Sequence, residues 1–283
     1  MNNIELKNVN KNYPGFTLKN ITFNVPKGAI VGLIGENGAG KTTTIKAILN
    51  ITKTTGEIKV LNKHYKDLER EIKEELGVVL DDSFISEYIS PKSINSIMKS
   101  FYKSWDSKKY FSYLETFGLP ENKTVKNFSS GMKMKLKLIT ALSHPSKILI
   151  LDEPTSGLDP VVRSEILDLL RNYILEDEER SILLSSHITS DLEHIADYII
   201  FISNGEVKLN KETEYLLENY GVAKVTEEEY QKISKEDYLY SKKEKYHYLL
   251  LVDNKVEFKK KYKVTIERVT IEDIMLFYLK GEK

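Results

Sequence analysis

The chain has 283 residues, 41% of them apolar, enough for one large domain or a domain with a small appendage. Its 42 basic and 42 acidic residues cancel, which argues against a broad nucleic-acid-binding surface, and the lack of cysteine excludes disulfides and cysteine-based zinc sites. The N-terminus MNNIELKNVN lacks the apolar core of a signal peptide. The apolar runs fall well short of the roughly 20 residues a spanning helix needs, so any membrane role is expected to come through a partner.

Along the chain, Ile21, Phe23 and Val25 alternate with polar residues, the pattern of a half-buried strand, between turn signals at Pro14-Gly15 and Pro26-Lys27-Gly28. The apolar run 29–34 suits a strand buried on both faces, and a glycine-rich loop and a helical stretch over 42–49 follow it. Further buried strands are expected at Ile148–Leu151, Ser181–Leu184 and Tyr198–Ile202, with helical patterns between them such as Arg163–Ile174. Strands alternating with helices predict an α/β core built on a parallel sheet. Residues 83–141 read as a helical insertion rich in aromatics (Phe101, Tyr102, Trp105, Tyr110, Phe111, Tyr113), most of them expected in its own core. From about Lys211 the composition turns to Glu, Lys and Tyr. Strands at Tyr246–Val252 and Tyr262–Ile266 and a closing helix at Ile271–Leu279 predict a small α+β appendage.

The sequence Gly35-Glu36-Asn37-Gly38-Ala39-Gly40-Lys41-Thr42 fits G-x-x-x-x-G-K-[ST]. Its glycines let successive N–H groups turn inward around phosphate oxygens, Lys41 supplies a cation, and the Thr42 hydroxyl can ligate magnesium. The alternative is an ordinary glycine turn before a helix, which the buried strand ahead of the motif disfavours. The run Ile148–Leu151 ends in Asp152-Glu153. At a strand end beside a phosphate loop, Asp152 would hold magnesium and Glu153 would polarise the attacking water. Taken alone, the pair would read equally well as solvated charges capping a strand.

On these residues the chain resembles an ATP-binding cassette domain over about residues 1–210. Tyr13 lies 22 positions before Gly35, where the family places an adenine-stacking aromatic, and Thr43 extends the phosphate loop. Phe128-Ser129-Ser130-Gly131-Met132 stands where the family has L-S-G-G-Q. It keeps Ser129 and Gly131, which the resemblance implies reach the partner cassette's γ-phosphate. Ser156-Gly157-Leu158-Asp159 matches the loop that crosses between subunits, and His187, 34 positions after Glu153, the switch histidine. Where the family has a magnesium- and water-contacting glutamine, this chain has Asp81, which a carboxylate's chemistry also suits. His144 has no role in this reading, and the charged stretch 176–180 reads as a solvated loop.

The resemblance implies an ATPase core at 1–82 and 142–210, a helical signature subdomain at 83–141 and an appendage at 211–283. It also implies ATP and Mg2+ as ligands, Glu153 and His187 as catalytic groups, a second cassette, and separate membrane subunits at the cytoplasmic face of the membrane. Chromosome-maintenance ATPases insert a long coiled coil between the phosphate loop and the signature. Only 88 positions separate Lys41 from Ser129 here, without sustained heptads. Translation-associated cassette proteins carry two cassettes, and a small-molecule kinase lacks the signature and switch histidine. The motif style and the C-terminal Ile-Glu-Asp-Ile-Met-Leu-Phe-Tyr resemble bacterial exporters of bacitracin and peptide toxins.

Overall fold

The computed structural model describes residues 1–64, 70–80 and 85–282. β1 (Asn2–Tyr13) and β2 (Phe16–Pro26) form a hairpin whose inward side chains include Ile21, Phe23 and Val25. β3 (Ile30–Ile34) is buried throughout and runs into α1 (Lys41–Ile48). β4 (Thr55–Val60) and β5 (Lys63–His64) complete an antiparallel sheet in the order β2-β1-β4-β5. The short α2 (Arg70–Glu74) then leads to β6 (Leu76–Val79).

The inserted helices α3 (Pro91–Phe101), α4 (Ser107–Thr116) and α5 (Ser130–Leu142) each start on a side-chain cap, from Ser90, Asp106 and Ser129. They close over their own apolar core, in which Tyr110 is fully buried beside Ile94, Leu114 and Leu136. Phe101 departs from the expected aromatic core and is 64% exposed, because the helix that carries it ends there.

The chain re-enters the α/β core through β7 (Ile148–Asp152), α6 (Pro160–Leu175), β8 (Ser181–Ser186), α7 (Thr189–Ile195), β9 (Tyr198–Ser203) and β10 (Glu206–Glu212). The central sheet has the order β10-β9-β3-β8-β7-β6, parallel except for the β9–β10 hairpin. β3, β7 and β8 are buried on both faces, which explains the apolar stretches Ile30–Ile34, Ile148–Leu151 and Ile182–Leu184. The carboxyl ends of these three neighbouring strands open on one crevice, the usual ligand position in such sheets.

Beyond β10 come α8 (Thr213–Asn219), β11 (Gly221–Val225), α9 (Glu227–Tyr230), β12 (Tyr240–Lys243), β13 (Tyr248–Val252), α10 (Lys255–Tyr262), β14 (Thr265–Glu267) and α11 (Ile271–Lys280). From β11 to β14 the order is βαββαβ, and the strands pair antiparallel as β12-β13-β11-β14, the split βαβ arrangement. Ala223, Val225, Leu250 and Val252 pack against Phe258 of α10 on one face, while Val222 and Leu251 face α11 and the core. The expected strand over 262–266 starts later than the sequence suggested. Lys263 takes a left-handed conformation (φ 55°) that ends α10, and the strand begins at Thr265. One apolar core joins Ile30 and Leu149 of the central sheet to Ile271, Ile274 and Phe277 of α11.

Candidate functional site

The loop after β3 is shaped by close approach. A Cβ on Gly35 would stand 2.3 Å from the Ile202 carbonyl oxygen. Gly40, at φ 117°, would place one 2.6 Å from Leu18. Both positions therefore require glycine, and the loop is pinned between β9 and the β1–β2 hairpin. Asn37 and Gly38 are exposed at its tip, and buried Ala39 is tied by its carbonyl to the Gly205 N–H. Lys41, 6% exposed, donates to the Gly35 carbonyl (2.8 Å) and lies 3.2 Å from Glu153 Oε1. Thr42 follows it in the first turn of α1, and its hydroxyl donates to Asp152 Oδ2 at 2.7 Å, while Thr43 is half-buried next to it.

Asp152 is held from its other side as well. Ser185, at the end of β8, donates to Asp152 Oδ1 at 2.5 Å and accepts from the Glu153 N–H at 3.0 Å. The parallel pairing of β7 with β8 sets Asp152 opposite Ser185, so the contact follows from register. Ser185 was not recognised from the sequence as a site residue, because a serine at a strand end carries no signal until its neighbouring strand is known. Glu153 follows at φ 53°, a left-handed conformation uncommon outside glycine. Its Oε2 accepts from the His187 N–H (3.2 Å) and lies 2.6 Å from His187 Nδ1. Glu153 thus bridges the loop lysine and the histidine, and Oε1 has no hydrogen-bond partner although it is buried.

The remaining expected residues lie elsewhere. The Tyr13 hydroxyl is 2.9 Å from Thr52 Oγ1, with Lys11 over the ring at 4.8 Å, and the tyrosine makes no hydrogen bond to the loop. Ser129 accepts from the Met132 N–H as the cap of α5, and Gly131 packs on Val162 of α6. Asp159 caps α6 by accepting from Val161 and Val162. Asp81 lies outside the described residues.

Thr42 and Asp152 offer hard oxygen ligands on one side of a phosphate loop. Among the described residues no cluster of three or more metal-ligating side chains exists. Magnesium is commonly held by one or two carboxylates together with substrate phosphates, so this donor set fits an ion that arrives with a nucleotide.

The ABC transporter family model matches residues 18–156. The lantibiotic transport ATP-binding protein SrtF of Streptococcus pyogenes is 34% identical over 215 residues, 74% of this chain and 90% of that protein. The bacitracin transport ATP-binding protein BcrA of Enterococcus faecalis is 34% identical over 212 residues, 72% of this chain and 67% of that protein. Among solved structures, an ATP-binding subunit of an ABC transporter superposes with TM-score 0.68 at 26% identity, covering 75% of this chain and 91% of that one. The dimeric bacterial ABC transporter cassette MJ0796 does so with TM-score 0.66 at 25% identity, covering 74% and 98%. With its phosphate loop after β3 and its paired carboxylates at the end of β7, the chain belongs to the ATP-binding cassette family, as an ATP-binding and ATP-hydrolysing subunit of an ABC transporter.

Proposed function

We propose that two cassettes close head to tail over two ATP molecules and that this closure powers export of a peptide or antimicrobial through separate membrane subunits. The observation that carries the reading is the division of the expected residues between two surfaces. Lys41, Thr42, Asp152, Glu153 and His187 share one network, while Ser129 caps α5 and Gly131 lies against Val162 of α6. A second copy would supply the missing pair. In this reading 1–82 and 142–210 form the ATPase core, 83–141 the signature subdomain and 211–283 an appendage.

Within each site Lys41 and the loop N–H groups would bind and orient the phosphates, Tyr13 would stack on adenine, and Thr42 and Asp152, with Asp81, would hold Mg2+. When bound, that ion neutralises charge on the phosphate oxygens. Ser185 fixes the Asp152 carboxylate. Glu153 would orient the attacking water once a γ-phosphate has drawn Lys41 away from it, and His187 would hold the carboxylate in place. The likeness to a lantibiotic transport and a bacitracin transport ATP-binding protein supports the substrate class.

No helix among the described residues is long and apolar enough to cross a membrane. A groove of about 290 Å³ between the helical insertion and β6, lined by Ile85, Ile89, Ile97, Met98 and Tyr102, has the apolar character to receive side chains from a helix of a membrane partner at the cytoplasmic face. Glu153→Gln with saturating ATP and magnesium should elute as a dimer in size-exclusion chromatography with light scattering. A monomer at high protein concentration would refute the closed pair. Purifying the native complex in detergent identifies the membrane chain, and recovery without one would refute the transporter assembly.

A further inference from the structure

The appendage carries a concavity of about 580 Å³ between α10 and β14, within the usual size of small-molecule sites. Lys255, Lys259, Lys260 and Arg268 line it against one carboxylate, Glu267, with Val256 and Ile266 as its apolar surface. Behind it, a Cβ on Gly221 would stand 2.5 Å from Ile266 and 3.1 Å from the Lys255 Cβ. The missing side chain lets the start of α10 and the end of β14 lie side by side.

Three of the four cations around it are not spent on the fold. Lys261, on the same helix, is paired with Asp237 and bonded through both carboxylate oxygens. Lys255 donates to the Leu217 carbonyl and so ties α10 to α8. Lys259, Lys260 and Arg268 make no ion pair among the described residues, and all three are exposed. Several uncompensated cations converging on one hollow, one of them a planar guanidinium that can bind oxyanions in bidentate fashion, suit a multiply charged anion.

The chain that leaves the concavity packs on α7, near the catalytic end. Arg268 stands three residues before Ile271, whose N–H donates to Glu193 of α7 at 3.0 Å. Ile271, Ile274 and Phe277 of α11 share one apolar core with Leu192 and Ile195 of α7. That helix begins two residues after His187, the partner of Glu153. We propose that the α10–β14 concavity binds a phosphate-bearing anion, free or presented as a lipid headgroup, and that occupancy is relayed through α11 and α7 to the rate of ATP turnover.

The test uses the full chain. Inorganic pyrophosphate is titrated by calorimetry into Lys41→Ala, which removes the loop cation and with it the competing phosphate site, and into the same protein carrying Lys259→Gln and Arg268→Gln. Both added substitutions are on exposed side chains, and matching thermal melts confirm that the fold is kept. One saturable site in Lys41→Ala, weakened at least about tenfold by the added pair and by raised salt, is the expected result for a free phosphate. In parallel, the wild-type chain and Lys259→Gln/Arg268→Gln are sedimented with phosphatidylglycerol and with phosphatidylcholine vesicles. Capture only by the anionic vesicles, lost in the variant, with no pyrophosphate site, assigns the headgroup source. Absence of both kinds of binding, or binding that the pair of substitutions leaves unchanged, overturns the site. ATP turnover at saturating ATP is then followed with the bound probe in wild type and in Lys259→Gln/Arg268→Gln. A response in the first and not the second supports the relay, and equal responses overturn it.

Discussion

The nucleotide end of the molecule and the C-terminal sheet are built on opposite plans. In the first, the chemistry sits in contiguous residues, because a loop that wraps phosphate must fix the backbone of every position from Gly35 to Thr42. In the second, the defining feature is the pairing order β12-β13-β11-β14, made by contacts between distant segments such as Val222 with Glu267. Local chemistry leaves a mark that one stretch of sequence can show, and long-range pairing does not. One apolar core nevertheless joins Ile34 and Leu149 of the central sheet to Val222 and Leu251 of the C-terminal sheet.

That separation can be broken most forcefully at Lys41. Its ammonium is almost fully buried and bonded to the loop's own carbonyl, so Lys41→Ala removes the one side-chain cation in the loop. ATP turnover should fall by roughly 100-fold or more, the scale of losing one preorganised charge-stabilising donor. Nucleotide affinity measured by titration should fall too, while the melting temperature without nucleotide should change little. A large loss of stability without nucleotide would mean that the lysine is structural.

Glu153→Gln comes next. It keeps the shape of the side chain but removes the charge that faces Lys41 and His187. Turnover should drop by about 100-fold while ATP binding persists. Wild-type turnover in this variant would move the role of water activation to another group.

Ser185→Ala should be milder, with about tenfold slower turnover, because Asp152 keeps its bond from Thr42 but loses the one that fixes its other oxygen. A shift in the magnesium concentration needed for half-maximal rate would separate this positioning role from a merely structural one.

What the sequence made legible follows the same division. The buried strands β3, β7, β8 and β9 were readable because burial on both faces demands unbroken apolar runs. Lys41, Asp152, Glu153 and His187 were readable as candidates because motif and spacing mark them. Ser185 was not, since its value comes from strand register. β11 and β12 also escaped notice. Gly221–Val225 is short and β12 is polar, and each is a strand through its pairing with neighbours, β11 with β13 and β14 and β12 with β13. The groove lined by Ile85, Ile97 and Tyr102 joins residues from several separated segments and has no periodic signature.

On the appendage side, Leu250→Ala should lower stability by about 2–5 kcal/mol, since Leu250 is fully buried between β11 and α10. If chemistry and architecture are separable, ATP affinity at a temperature below the new melting point should stay within about twofold of wild type, less than the roughly 1.4 kcal/mol that a tenfold change represents. A parallel loss of affinity would show that the appendage shapes the nucleotide loop directly.

The smallest expected effect concerns His144, which the sequence left without a role. It stacks on Tyr102 at 4.4 Å beneath the apolar groove, and its Nε2 meets the Leu76 carbonyl at 3.2 Å. Burial holds its imidazole below the ordinary histidine range, against the upward pull of the Leu76 carbonyl and of Glu74 on α2, and Lys109 on α4 adds to the lowering. The folded protein therefore keeps this ring neutral at pH values where the unfolded chain already binds a proton. Stability should be complete above the unfolded value near 6.5 and decline as pH falls below it toward the depressed folded value. Melting temperatures measured from pH 7.5 to 5.5 should consequently fall more steeply for wild type than for His144→Gln, whose neutral amide can still donate to Leu76. Parallel slopes would show that the acid sensitivity arises from other groups. A steeper fall that disappears when a membrane partner fills the groove would instead tie His144 to the docking surface proposed for that groove.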